Sequence, residues 1–153
     1  MKRALAACVG LLLAAGPAAA ESPKGPGIGV VVGDPIGATA NVFLREDQSV
    51  DVGVGFSGDT ALWADYAWHA HDLFPPVRGG RLDGWVSLGP RIETAPDTEF
   101  GVRTMLGASY WLASHPIEVF ATAGPVFRMT PTGGVDADGG IGVRFYFGGP
   151  TTR

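Results

Sequence analysis

Three constellations in this 153-residue sequence carry residue types that could do chemistry. His69 and His71 stand two apart, and Asp65 precedes them at even spacing, so all three share one face if the segment is a strand. Imidazole and carboxylate are metal ligands; the same trio can also hydrogen-bond inside a sheet near a strand end. Ser114 and His115 are adjacent, with Glu118 just beyond. Lipid hydrolases use a serine, a histidine and a carboxylate, but neighbouring residues of a strand point apart. Asp136-Ala137-Asp138-Gly139 begins like a calcium loop and lacks the further oxygen ligands and the distal glutamate. Gly139-Gly140-Ile141-Gly142 is no phosphate cradle, because no helix follows it. These spacings assign no catalytic, cofactor or metal residue, and the chain is expected not to be an enzyme.

A second set of charged residues is larger and more regular. Asp51, Asp65, Arg91, Arg103, Glu118, Arg128, Asp138 and Arg144 are spread over six segments, each at alternate spacing with glycine, serine or other small residues. Their chemistry is ion pairing. Arginine suits an enclosed pair because its planar fork meets a carboxylate at two points. Beyond residue 20 lysine is nearly absent, Lys24 being the sole example. That fits an enclosed network better than a surface facing water.

The elements that must position these groups are strands. Twenty-four glycines and twelve prolines are spread through the chain, among many valines and aromatics, which disfavours helices. Apolar residues recur every second position in eight segments bounded by turn residues, near 27–33, 38–45, 50–57, 60–71, 82–93, 99–112, 116–128 and 134–147. The last is the clearest: Ile141, Val143, Phe145 and Phe147 alternate with Gly140, Gly142, Arg144 and Tyr146. Phe43 and Trp63 are exceptions on otherwise polar faces, and Pro90 is expected to interrupt the fifth strand with a bulge or a shortened ladder. The connections are short, so neighbours should pair antiparallel in up-and-down order. Eight such strands close naturally into a small barrel. The expected fold is all-β, an eight-stranded antiparallel up-and-down transmembrane barrel.

The N-terminus reads as an address. Lys2 and Arg3, an apolar run over 4–15, and Gly16-Pro17 before Ala18-Ala19-Ala20 make a secretory signal peptide cleaved after Ala20. The expected organisation is signal peptide 1–20, lead-in 21–26, barrel 27–147 and tail 148–153. Cys8, the only cysteine, would leave with the signal. Eleven basic residues less Lys2 and Arg3 leave nine against fifteen acids, a net of about −6 with histidines neutral. With no basic patch, nucleic-acid binding is not expected. No later apolar run reaches the roughly 18 residues of a spanning helix, so a membrane role would fall to strands.

The two faces then exchange roles according to the solvent outside. In a soluble barrel the aliphatic face would point inward; in a membrane barrel it meets lipid, and the charged face fills the interior. Tyr66, Trp68, Tyr110, Phe127, Phe145 and Phe147 sit towards the ends of the aliphatic face, where an interfacial girdle belongs.

The closing segment 138–147 and the opening Gly27-Ile28-Gly29-Val30 through Asp34-Pro35-Ile36-Gly37 resemble small OmpA-like outer-membrane barrels, nearest to an uncharacterised spirochaete-type eight-stranded family. Gly142, Phe145 and Phe147 resemble the C-terminal assembly signal of such proteins, although here six residues follow the final aromatic. The resemblance implies a bacterial outer-membrane location and, as partners, membrane lipid and the barrel assembly machinery. It implies a structural or surface-interaction role, as a monomer and without a cofactor. The alternative is a soluble exported barrel that binds a small apolar ligand. A lipid-modifying enzyme or a narrow pore is less favoured.

Overall fold

The computed structural model describes residues 25–94 and 97–148. The expected signal peptide 1–20, most of the lead-in and the tail from 149 onward lie outside the described residues.

The described chain forms eight strands: β1 (Pro26–Asp34), β2 (Ile36–Arg45), β3 (Gln48–Phe56), β4 (Thr60–Ala70), β5 (Gly80–Thr94), β6 (Thr98–Leu112), β7 (Ile117–Thr130) and β8 (Gly134–Tyr146). Each pairs antiparallel with its sequence neighbour, and β8 pairs with β1 to close the barrel. In that closing ladder Ile28 lies opposite Phe145 and Val30 opposite Val143. Closure leaves no free edge to recruit another chain.

Local chemistry explains the connections. Pro35 alone joins β1 to β2, so Ile36 and Gly37 already pair with Phe56 and Gly55. The third connection turns at Gly58, whose φ of 102° favours a residue without a side chain. Pro90 neither ends β5 nor adds a bulge; of the two expected effects, the structure has the shortened ladder. It keeps its place opposite Val102 in the β5–β6 ladder. The β4–β5 ladder instead passes from Trp63↔Arg91 to Tyr66↔Leu88. Proline has no N–H to donate there, and the strand absorbs the loss as a gap on one side. Pro26, assigned above to the lead-in, opens β1 opposite Val42.

The alternation sorts side chains sharply. Val32, Leu106 and Ile141 point outward and are 63%, 68% and 64% exposed. Between the strand ends, no outward position carries a charged side chain. Exposed aromatics mark both ends of this belt. Trp68, Phe145 and Phe147 lie at the end where β1 begins and β8 ends, the terminal end of the barrel, where Tyr66 packs edge-on to Trp68 at 4.9 Å. Phe56, Phe100 and Phe127 lie at the opposite end.

Candidate functional site

The inward face is built from the other half of each strand. Glycines there give large side chains room in a narrow interior. The indole of Trp63 lies over Gly53, that of Trp85 over Gly107, and the ring of Phe120 over Gly142. Around these rings the charged groups form a stack of ion-pair clusters.

The innermost cluster centres on Arg144. Its guanidinium pairs with Asp51 and, at 3.2 Å, with Glu118. It also donates to Thr39 Oγ1 at 3.1 Å and lies 3.9 Å over the Phe120 ring. Both carboxylates have further donors. Thr39 Oγ1 and Trp63 Nε1 donate to Asp51 at 3.0 and 3.1 Å. Ser109 and Tyr146 donate to Glu118, the latter at 2.8 Å. Arg144, Glu118 and Tyr146 are buried, while Asp51 is half-buried.

A second cluster lies towards the end away from the termini. Arg103 bridges Asp65 at 3.1 Å and Asp138 at 3.2 Å, and its guanidinium lies 4.9 Å from the Trp63 ring. Arg91 bridges Asp138 at 3.4 Å and Glu93 at 2.8 Å. Arg128 stands apart from both, at the mouth of the barrel. Its side chain is 30% exposed and pairs with Glu99 at 3.4 Å and with the exposed Asp136 at 2.6 Å. Of the eight charges assigned to the interior from sequence, seven thus converge in two clusters and Arg128 belongs to the rim. In each of the three sites an arginine joins two carboxylates, so acid exceeds base. In a low-dielectric interior such sharing keeps carboxylates from standing unpaired, which would cost several kcal/mol, about what is expected for buried ions.

The terminal end is closed by rings. Phe43 packs 5.8 Å from Trp111 and 6.1 Å from Tyr146, and Trp111 and Tyr146 are 5.0 Å apart. Phe43, the exception in the β2 pattern, is therefore part of this plug. Between plug and rim remains a cavity of about 40 Å³, lined among others by Thr39, Asp51, Trp63, Asp65, Phe120 and Asp138.

The chemistry-bearing trios of the sequence are not assembled. Asp65 belongs to Arg103. His69 contacts Ser49 Oγ at 2.8 Å, and His71 contacts Asp83 at 3.1 Å. Among the described residues no group of three or more His, Cys, Asp or Glu side chains is arranged to hold a metal. Ser114 and His115 are exposed in the turn between β6 and β7, whereas Glu118 points inward to Arg144. Asp136 and Asp138 serve different arginines. Ser49 and Asp83, both fully buried, were absent from the sequence-derived charge set. Their inward parity is the signal that could have found them: Ser49 two residues before Asp51, and Asp83 two after Arg81, its partner at 2.8 Å.

Gly142 and Phe145 lie in the last part of β8 and Phe147 just past its end, and the three do not share one face. Gly142 lies inward beneath Phe120, while Phe145 and Phe147 are exposed outside, edge-on at 5.4 Å.

These features define a closed eight-stranded antiparallel barrel with ion pairs inside and an aliphatic wall outside. The fold is similar to that of the N-terminal β-barrel domain of OprF from Pseudomonas aeruginosa, with a TM-score of 0.58 and 15% sequence identity, over 82% of this chain and 99% of that one. At that identity the likeness is one of fold. No protein-family model and no curated protein matches the sequence.

Proposed function

We propose that this chain is an integral bacterial outer-membrane barrel that acts structurally, as a rigid wall element of the envelope with a packed interior. The observation that carries the reading is the inverted polarity. Glu118, Asp65, Arg144 and Arg103 are 1%, 3%, 5% and 6% exposed, while Ile141 and Leu106 are 64% and 68% exposed. In water that arrangement would leave the apolar belt unsatisfied, since monomeric soluble proteins rarely expose patches beyond a few hundred Å². In a bilayer the belt is solvated by lipid, and the closed sheet satisfies its backbone groups internally. The two aromatic rims fit the two interfaces.

The reading includes the finer sequence resemblance, to spirochaete-type eight-stranded barrels. It includes export through the segment 1–20, a monomeric state, and assembly by the barrel machinery through the end of β8, where Phe145 and Phe147 are exposed for recognition. It assigns no catalysis, because Ser114 and His115 are exposed in a turn while Glu118 points inward to Arg144. A soluble carrier of an apolar ligand is disfavoured by the filled interior, whose cavity of about 40 Å³ is far below the roughly 300–1,000 Å³ of ligand pockets. The same filling opposes a pore.

The test is expression with the native leader, followed by membrane fractionation. The protein is expected in the outer membrane, resistant to alkaline carbonate and showing heat-modifiable gel mobility. A monodisperse protein soluble without detergent would refute the reading.

A further inference from the structure

The connection between β4 and β5, residues 71–79, does not continue away from the barrel end. Leu73 and Phe74 fold back onto the outside of the wall. A Cβ placed at Gly84 would lie 2.5 Å from Leu73 Cδ2 and 3.4 Å from Phe74 Cε2. Gly84 is an outward position between Leu82 and Val86, so the Leu73 side chain fills the place its own side chain lacks. Both residues nonetheless remain open to the surroundings, Leu73 64% and Phe74 39% exposed. The patch they form continues the lipid-facing belt. Trp68, itself 45% exposed, lies opposite Val86 in the β4–β5 ladder, one outward position above Gly84. On the other side Tyr110 lies opposite Leu82.

The loop is also held in place before anything binds it. The Tyr110 hydroxyl donates to the Arg78 carbonyl at 3.2 Å. Ala113 N–H donates to the Gly79 carbonyl at 3.0 Å. Val77 and Gly80 form a bridge around Gly79, whose φ of 80° suits glycine. Pro75 and Pro76 further restrict the chain. The apolar pair therefore needs little ordering to meet a partner. Polar groups bound it, since Asp72 and Arg78 are exposed.

From these contacts we infer that residues 72–78 form an interfacial foot. Leu73 and Phe74 lie in the boundary between headgroups and acyl chains of the leaflet on the side of the chain termini, and Arg78 lies at headgroup level. The partner is phospholipid. This rests on the membrane reading above and adds that the longest connection is lipid-bound. A surface element with an apolar face and a charged margin has this preference, and the site lies just beyond an aromatic rim, where the interface begins.

The test uses single cysteines in the full mature barrel, which has none beyond residue 8, each labelled with an environment-sensitive fluorophore and reconstituted into phosphatidylcholine vesicles. Labels go at Leu73→Cys, at Ser57→Cys on the opposite tip, and at Leu106→Cys in mid-belt. At position 73 the label is expected to be quenched several-fold more by lipids spin-labelled near the headgroup than by aqueous iodide, with the order reversed at 57. Equal iodide quenching at 73 and 57, with lipid quenching intact at 106, overturns the foot alone. Absence of lipid quenching at 106 overturns the membrane reading with it. Heat-modifiable mobility of each labelled protein establishes that it is folded.

Discussion

Replacing Arg144 with leucine tests the interior most directly. The variant keeps an apolar side chain over Phe120 and removes the guanidinium that serves Asp51, Glu118 and Thr39 at once. Two carboxylates are then left without their cation, one of them fully enclosed. Removing one partner of a buried ion pair costs about 3–5 kcal/mol. Four donors remain, Ser109 and Tyr146 on Glu118, Thr39 and Trp63 on Asp51. They prevent complete loss of solvation and keep the expected cost in that range rather than above it. The measurement is denaturant unfolding in detergent micelles, followed by tryptophan fluorescence, with the midpoint compared at constant slope. A triple variant, Arg144→Leu with Asp51→Asn and Glu118→Gln, removes the unpaired charge and is expected to recover most of the loss. If Arg144→Leu costs less than about 1 kcal/mol, the pair is solvated like a surface one and the enclosed network is wrong. If the triple variant is no better than the single one, the contribution of Arg144 is packing over Phe120, not ion pairing.

Other substitutions probe different layers. Gly142→Ala places a methyl group among the Phe120 ring atoms and 2.6 Å from the Val30 carbonyl. A loss of about 1–3 kcal/mol is expected from overpacking, read as a lower unfolding midpoint and a reduced folded fraction on gels. Leu106→Arg, on the exposed belt, should destabilise the barrel by about 2–4 kcal/mol in vesicles if the residue lies near the bilayer midplane; an unchanged midpoint would contradict the assigned outward face. Arg128→Gln should cost under about 1 kcal/mol, because its pairs lie at the mouth and are open to solvent.

The eight strands were legible because side-chain polarity alternates with the pleat, and each observed boundary lies within about two residues of the sequence expectation. The second strand shows where composition misled. Asp34, Pro35 and Gly37 are turn-type residues, yet one proline completes the reversal, and Ile36 and Gly37 belong to the ladder. Interior aromatics were legible only in part. Phe43 and Trp63 stand out on polar faces, whereas Trp111 and Phe120 have types that suit the outer belt and only a parity that points inward. In a narrow lumen parity decides, because glycines on neighbouring strands leave ring-sized gaps. Charge identity was readable but charge partnership was not. Arg144 reaches Asp51 across 93 positions of sequence, and only closure of β8 onto β1 brings the two together.

The lengths of the connections restrict where the barrel can meet a partner. At the end away from the termini, the strands are joined by Pro35 and by 57–59, 95–97 and 131–133. At the terminal end they are joined by 46–47, 71–79 and 113–116. A specific protein interface needs about 800 Å² from each partner, which turns of one to three residues on a narrow barrel supply poorly. A role as an adhesin or receptor through long outer loops therefore has little chain to act with. The one connection with apolar and charged residues in a fixed arrangement, 71–79, lies on the side of both termini. Contacts made by connections should be sought there, and contacts made by the far end should be weak. The turn variant Asp59→Lys at that far end is accordingly expected to leave membrane insertion and unfolding midpoint unchanged. A drop in either would show that the short turns take part in anchoring, contrary to the division of labour inferred from the strand and loop lengths.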